Sequence, residues 1–532
     1  MKEYIQAIFC APTGKFDNLP YPSRLTDEVF RALKEGGINR IFGFGYDIRE
    51  STQKETLRLC EKYGIKYLPT MQSFGKYIDF GWEKLSEAEK RKADETFIGE
   101  VKKYTSYSAF AGVFFGDEAG YLSFGGVAHA KKVFDENFPG KEFHFNFFSY
   151  SINDAIFWGG MAGSVRGVPE GKKPFALAGD LEITFRNRFN YYDKLVEGLL
   201  SKARFEFISQ DKYPFESFWE SVPSSVHVAL FELNAYFALK KKKYGCKFYN
   251  YMQAGQWATG TERKHMTRGE ISLQMHVTAA YGNEGFAWFP GCYPIDYTFD
   301  EERKYSMEGA GGLIDIYGRK SEVYGYVKEL SAFFASIADD ILNSECKGAC
   351  EYGEYDNSFT EDQIKNLPDN ECIFRGKLPD FYRYKDDNLS VKASNGVMVS
   401  AFERNGEPRW YAVNLSTVYK NTIEAVFPEC EYEIFRKTEK YDTNENIALT
   451  QAKEFISERR ESKEDKFMKK LHMICNAHID PIWQWEWEEG ASAALSTFQS
   501  AANLAKEFNY IFCHNEVTLY KYFVGAKFTE RG

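Results

Sequence analysis

The chain is short of several things, and each shortage removes a class of function. Positive charge is one: 67 Lys and Arg stand against 77 Asp and Glu, a net charge of −10. That excludes nucleic acid as the main partner, because gripping phosphates needs clustered cations. Long apolar runs are missing too. No uninterrupted window of about 18 apolar residues exists, so no membrane span is expected. The stretch Met1–Cys10 is too short an apolar run for a signal peptide. The 10 cysteines among 532 residues are irregularly spaced and too few for a disulfide framework. Cys346 and Cys350 have no second pair nearby to complete a zinc site. Histidine is scarce, and His129, His144, His227, His265 and His276 show no metal spacing, so they read as structural or exposed. The glycine-rich stretch Gly309–Asp315 lacks the strand–helix setting of a phosphate loop. The expectation is a cytoplasmic, reduced, acidic protein whose main domain needs no cofactor. Its oligomeric state stays open.

What is present is ordinary in bulk, with 44% hydrophobic and 27% charged residues, as in folded proteins. The aromatic share is not ordinary: 17%, from 47 Phe, 35 Tyr and 9 Trp. Such rings build large cores, and they also stack on sugar faces.

Up to about residue 340, short apolar runs alternate with longer amphipathic ones. Eight strands are expected near Tyr4–Cys10, Arg40–Phe44, Lys66–Pro69, Gly112–Phe115, Phe143–Phe147, Phe205–Ser209, Lys247–Tyr251 and Gly285–Phe289. Helical segments such as Thr26–Glu35, Gln53–Tyr63 and Arg268–Tyr281 each stop at a glycine. Repeated strand–helix units imply parallel strands, and eight of them favour a closed (β/α)₈ TIM barrel over an open sheet. Residues 1–341 are assigned to it. The stretch Ser149–Asn190 is longer than a usual connection and reads as an excursion over the barrel mouth.

Near residue 342 the pattern changes. Asn395-Gly396 and Asn405-Gly406 lie between alternating runs, a strong hairpin signal, so 342–440 is expected to be a small antiparallel β domain resembling a sandwich. Residues 441–467, with the charge-rich Glu458–Lys466, read as a solvated helix or linker. An α/β C-terminal fragment follows at 468–532.

In a (β/α)₈ barrel the chemistry sits at the C-terminal ends of the strands. Strand four delivers Asp117 and Glu118. Strand five ends near Asn146, and strand six delivers Asp211 and then Tyr213. Strand seven delivers Gln253 with Trp257 beyond it, and strand eight ends near Trp288. Two acids directly after an apolar strand are costly near an interior unless paired or used. Read without chemistry, the same pair is a helix N-terminal cap. Read with it, Glu118 is a carboxylic acid able to protonate a glycosidic oxygen. A retaining pair of glutamates would need an acid at the end of strand seven, where this chain has Gln253. Two schemes stay open. In one, a substrate 2-acetamido oxygen attacks the anomeric carbon while Asp117 orients the acetamido N–H, Glu118 serves as acid/base and Tyr213 holds the carbonyl. In the other, Glu118 is the acid and Asp211 the base or nucleophile, their separation deciding inversion or retention. Asn146, Gln253, Trp257 and Trp288 complete the expected sugar-binding set.

GVFFGDEAG, FISQDKYPF and LQMHVTAAYGNEGFAWFPG together resemble bacterial barrel glycoside hydrolases, over about residues 1–440. The Asp-Glu pair after strand four is similar to that of the acetamido-assisted hexosaminidases of families 20 and 123. The resemblance implies a glycosidase acting on a carbohydrate, with Asp117 and Glu118 as the paired acids. A second resemblance is local. KKLHMICNAHIDPIWQWEWEE, with the apolar segments after it to Phe523, resembles the start of the catalytic domain of family 38 α-mannosidases. It implies His478 and Asp480 as zinc ligands. That family supplies a nucleophilic Asp and a further His later in its chain, so the site is expected to be incomplete here and zinc unlikely to be held. The fragment, beginning at Met468, reads as truncated, or as a barrel gene running on into a neighbouring mannosidase gene. Three functions therefore compete: a barrel glycosidase, a zinc α-mannosidase, and a glycan-binding barrel without turnover.

Overall fold

Each of the eight apolar runs forms a strand: β1 Ile5–Phe9, β2 Arg40–Gly43, β3 Lys66–Pro69, β4 Gly112–Asp117, β5 Glu142–Phe147, β6 Phe207–Asp211, β7 Lys247–Gln253 and β8 Gly285–Phe289. The computed structural model describes residues 3–17, 19–43, 47–150, 152–167, 185–215, 228–255, 266–293, 312–352, 384, 389–393 and 396–415, and strand segments 423–426, 433–434, 447–450 and 470–472. All eight strands are parallel, in the order β3-β2-β1-β8-β7-β6-β5-β4. The two ends of that order meet. Tyr67 N–H donates to Ala109 O at 2.9 Å, and Ala111 N–H donates to Tyr67 O at 3.0 Å. The sheet is thus an eight-stranded α/β barrel of the TIM type. Strands β4, β6 and β7 run two residues further than expected, because their neighbours keep pairing with them, so Asp117, Asp211 and Gln253 are strand ends.

Side chains alternate along each strand between two cores. Phe42, Phe114, Phe207, Tyr249, Tyr251 and Ala287 fill the barrel, while Ile41, Phe115, Phe145, Ile208, Phe248 and Trp288 pack under the surrounding helices. Several helix N-termini are capped by side chains. Thr26 accepts from Val29 N–H, and Ser86 and Thr267 form reciprocal capping boxes with Glu89 and Glu270. Among the described residues no helix is long and apolar enough to cross a membrane. The described part of the excursion after β5 is largely helical. It contains helices Asp154–Arg166 and Phe185–Leu200, and the first packs against the turn that follows β4.

Beyond the barrel come β9 Glu345–Tyr352, β10 Ser390–Ala393, β11 Val397–Arg404, β12 Glu407–Asn414, β13 Ile423–Val426, β14 Glu433–Ile434, β15 Ile447–Thr450 and β16 Lys470–His472. They form a five-stranded sheet, β14-β15-β12-β11-β9, and a separate three-stranded sheet, β10-β13-β16, both antiparallel. Asn405-Gly406 is the expected two-residue hairpin, with φ of +57° and +83°. The turn expected at Asn395-Gly396 does not join paired strands: β10 pairs with β13, and β11 with β9 and β12. A turn signal is local, whereas pairing follows whole strand faces. Asn395 itself lies outside the described residues. The linker assigned to 441–467 contains a strand, β15, because its apolar residues Ile447 and Leu449 extend the sheet beside β12. Residues 470–472, read as the start of the C-terminal fragment, pair with β13. The sheet is tied to the barrel by a hydrogen bond between His276 Nδ1 and Tyr411 OH, and by Arg404 on Asp339 (3.1 Å) and Asp340 (2.9 Å).

The β4–β5 seam admits no side chain at its lower end. A Cβ on Gly112, where φ is +155°, would stand 1.9 Å from Glu142 O, whereas one on Gly140, at φ +75°, meets nothing within 4 Å. Gly112→Ala is expected to destabilise by about 3 kcal/mol or more, and Gly140→Ala by about 1 kcal/mol. Denaturant midpoints of the two variants check this, and equal losses would refute the seam as the tight point.

Candidate active site

The strand register brings the acids together. Asp117 on β4 is level with Asn146 on β5, and Asn146 is level with Ser209 on β6, two residues before Asp211. Asn146 Nδ2 donates to Asp117 Oδ1 at 2.9 Å, and Ser209 Oγ donates to Asn146 Oδ1 at 2.7 Å. The chain then turns. Glu118 N–H donates to Asn146 O at 3.0 Å, and Glu118 has φ +52°, a left-handed conformation that costs a residue with a Cβ about 1 kcal/mol. This turn lies under the helix Asp154–Arg166, where a Cβ on Gly160 would stand 1.9 Å from Glu118 O. The backbone there is held in place, and the strained residue is an acid.

The Glu118 carboxyl hydrogen-bonds to that of Asp211. Burial first, then the charges of Asp211 and Asp117, push Glu118 up from 4.5 to about 11. Burial and then the Asp211 charge push Asp117 up to about 8, with the Asn146 N–H partly offsetting them. Asp211 is also raised by burial but only to about 6, since the Glu118 hydrogen bond and further donors favour its ionised form. Asp211 therefore loses its proton first and Glu118 last. One carboxyl is a donor, its neighbour an acceptor.

Other expected residues take varied places. Tyr213 is buried, its OH donating to Asp211 Oδ2 at 3.4 Å and its ring stacked on Phe289 with centroids 5.3 Å apart. Gln253 is fully buried. Its Oε1 accepts from Phe215 N–H at 2.7 Å, which ties down the chain after β6, and its Nε2 has no partner among the described residues. Trp288 is a correction. It is fully buried on the outward face of β8, against Phe286 and the helices, and cannot serve as a sugar platform. The residue facing inward there is Phe289. Trp257, His478 and Asp480 lie outside the described residues. Among the described residues no cluster of His, Cys, Asp and Glu could hold a metal.

Two residues of the site were missed. His144 is not a stray histidine. It is fully buried inside the barrel, stacked on Phe42 with ring centroids 4.4 Å apart, and its Nε2 lies 3.0 Å from Ser209 Oγ. The signal was in the strands. EFHFNF alternates polar and apolar residues, which puts His144 and Asn146 on the inward face, and the same two-residue period from inward Phe207 puts Ser209 and Asp211 there too.

No family model matches the chain, and no curated protein matches it. Among solved structures it is similar to a β-galactosidase from a psychrophilic Marinomonas, with 9% identity, 64% of this chain and 61% of that one covered, and a TM-score of 0.41. It is similar to an endo-β-1,4-mannanase from Thermotoga petrophila, with 13% identity, coverage of 80% and 95%, and a TM-score of 0.39. A third is the Ruminococcus gnavus β-glucuronidase, with 11% identity, coverage of 62% and 50%, and a TM-score of 0.39. The chain spans 61% of the length of the galactosidase and 50% of that of the glucuronidase.

A raised carboxyl leaves a mark on stability. Glu118 keeps its proton in the folded protein at pH values where the unfolded chain has released it. Its contribution is whole below its ordinary 4.5 and is lost as pH rises toward about 11. Glu118→Gln removes that loss. Thermal melts should show the variant gaining on the wild type by a few degrees between about pH 5 and about pH 9. A constant difference across that range would mean that Glu118 titrates normally.

Proposed function

We propose that the barrel is a glycoside hydrolase, and that it acts on 2-acetamido sugars with help from the acetamido group. The observation that carries this is the contact between the Glu118 carboxyl and Asp211 at the barrel mouth. It supports a protonated and an ionised carboxyl side by side at neutral pH, which is what cleavage of a glycosidic bond requires. Glu118 gives its proton to the leaving oxygen. Asp211 faces the positive charge that grows on the sugar ring.

The contact also bears on which scheme operates. Retaining pairs stand about 5 Å apart across the bond they cleave, and inverting pairs stand wider, to admit a water. Two carboxyls joined by a hydrogen bond are closer than either. Asp211 as a nucleophile or base opposite Glu118 therefore fits poorly. A nucleophile supplied by the substrate fits better, because it asks only for an acid and a neighbouring carboxylate to orient the acetamido N–H. Asp117, held by Asn146 and partly exposed, is suited to that task in its ionised form, which it reaches as pH rises through about 8. No step in this scheme requires a metal.

The test is turnover of aryl glycosides, 2-acetamido and plain, of both anomers, with and without chelator. Acetamido-selective, chelator-resistant turnover is expected, and Glu118→Gln should lower it by about 10²–10⁴-fold. Turnover of plain mannosides lost on chelation would assign the activity to a zinc site instead. Sugar binding with no turnover of any glycoside would make this a glycan-binding barrel.

A further inference from the structure

A line of polar side chains runs through the barrel interior beneath the acids. At its lower end Arg40 is hydrogen-bonded to Glu142 and, at 3.0 Å, to Tyr249 OH. Glu142 Oε1 lies 3.3 Å from His144 Nδ1, but neither atom makes a geometrically sound hydrogen bond. The other ring nitrogen, Nε2, is 3.0 Å from Ser209 Oγ and 3.3 Å from Tyr251 OH. From Ser209 the line continues through Asn146 to Asp117.

Hydrogen counting gives this line a direction. A serine hydroxyl has one proton to give. In the tautomer that carries the proton on His144 Nε2, facing Ser209 Oγ, the hydroxyl proton goes to Asn146 Oδ1, 2.7 Å away, in preference to Tyr251 OH, which also hydrogen-bonds to Ser209. The amide then has one orientation left, with Nδ2–H on Asp117. Without Ser209 the amide is free to turn and present its oxygen to Asp117, which an ionised carboxylate rejects and a protonated one accepts.

We propose that His144 and Ser209 are positioning residues: through a directed hydrogen-bond chain they lock the Asn146 amide with its N–H toward Asp117. This rests on the reading of Asp117 as a working carboxylate of the site. The lock favours the ionised form of Asp117, which accepts an N–H from the substrate, against the burial and the Asp211 charge that oppose it. Asp117 is also faced by Glu118, Asp211, Tyr213, Tyr251 and Cys10. Of the five, only Tyr251 loses a partner when Ser209 becomes alanine, since its hydroxyl hydrogen-bonds to Ser209.

The test titrates the carboxyl carbons of the full chain by NMR with ¹³C-labelled aspartate, the Asp117 signal being assigned by its absence in Asp117→Asn. Ser209→Ala should move the Asp117 midpoint upward by about one pH unit, the weight of one hydrogen bond to a charged group. Ser209→Thr, which keeps the hydroxyl, should restore it. His144→Phe, which keeps the stack on Phe42, should shift it in the same direction as Ser209→Ala and serves if that variant fails to fold. In the turnover assay the matching limb of the pH profile should move with the NMR midpoint. An Asp117 midpoint unmoved in both Ser209→Ala and His144→Phe overturns the proposal. A wild type without turnover but with the shift intact overturns the proposed function and leaves the positioning chain standing.

Discussion

Two carboxyl groups in contact and out of water cannot both carry charge. The mouth of this barrel is built around that constraint. Asp211 takes the charge because donors converge on it, and Glu118 keeps the proton because it faces that charge from a buried position. Neither residue would hold its state alone. Left unpaired, a buried carboxylate would reach for water or a proton, and a carboxyl without an acceptor would waste its donor. The fold supplies the contact by force at one point. It bends Glu118 into a left-handed conformation and pins the turn beneath a helix. The barrel mouth thus gives up local backbone stability where its acids are held together.

The interior below the acids follows from the same need. A barrel core can be filled by apolar layers alone, and much of this one is, with Phe42, Phe114, Phe207 and Tyr249. Yet His144, Ser209 and Asn146 occupy three inward positions with almost every polar atom bonded. Buried polar groups are tolerated when the chain of partners is complete, and they then specify one arrangement. Here the chain ends on Asp117. Aromatic stacking holds it sideways, with the rings of Phe42, His144 and Tyr251 nearly parallel. The richness in aromatics is thus used mainly for packing.

The barrel was legible because its strands and helix stops are written locally: apolar runs, and terminal glycines such as Gly64 and Gly282. The Asp117-Glu118 pair and Asp211 were legible because acids at strand ends stand out. Trp288 was misread since its position next to the mouth said nothing of its face, which strand alternation with Phe289 would have settled. His144 and Ser209 were passed over for a related reason, each being unremarkable alone. Only the two-residue period, with His144 between Phe143 and Phe145 and Ser209 two residues after inward Phe207, marks them as inward-facing, and only the register of β5 against β6 makes them neighbours. Register depends on the whole sheet, and no local signal encodes it. The same limit explains β15 and the Asn395-Gly396 turn, where pairing with distant strands decided what a local pattern could not.

The interior line also distributes charge along the barrel axis. At the lower end Arg40 neutralises Glu142, and at the upper end three carboxyls converge. His144 between them is held neutral, as burial lowers its affinity for a proton more than Glu142 raises it. The column therefore ends in unbalanced negative charge where the strands open. A low-dielectric wall of aromatic rings screens that charge poorly, so its field is directed outward through the mouth. A reaction that builds positive charge on a sugar carbon gains from such a field at the moment the charge appears, and the gain requires no rearrangement of the protein. The chemistry of the acids and the polarity of the core beneath them point the same way.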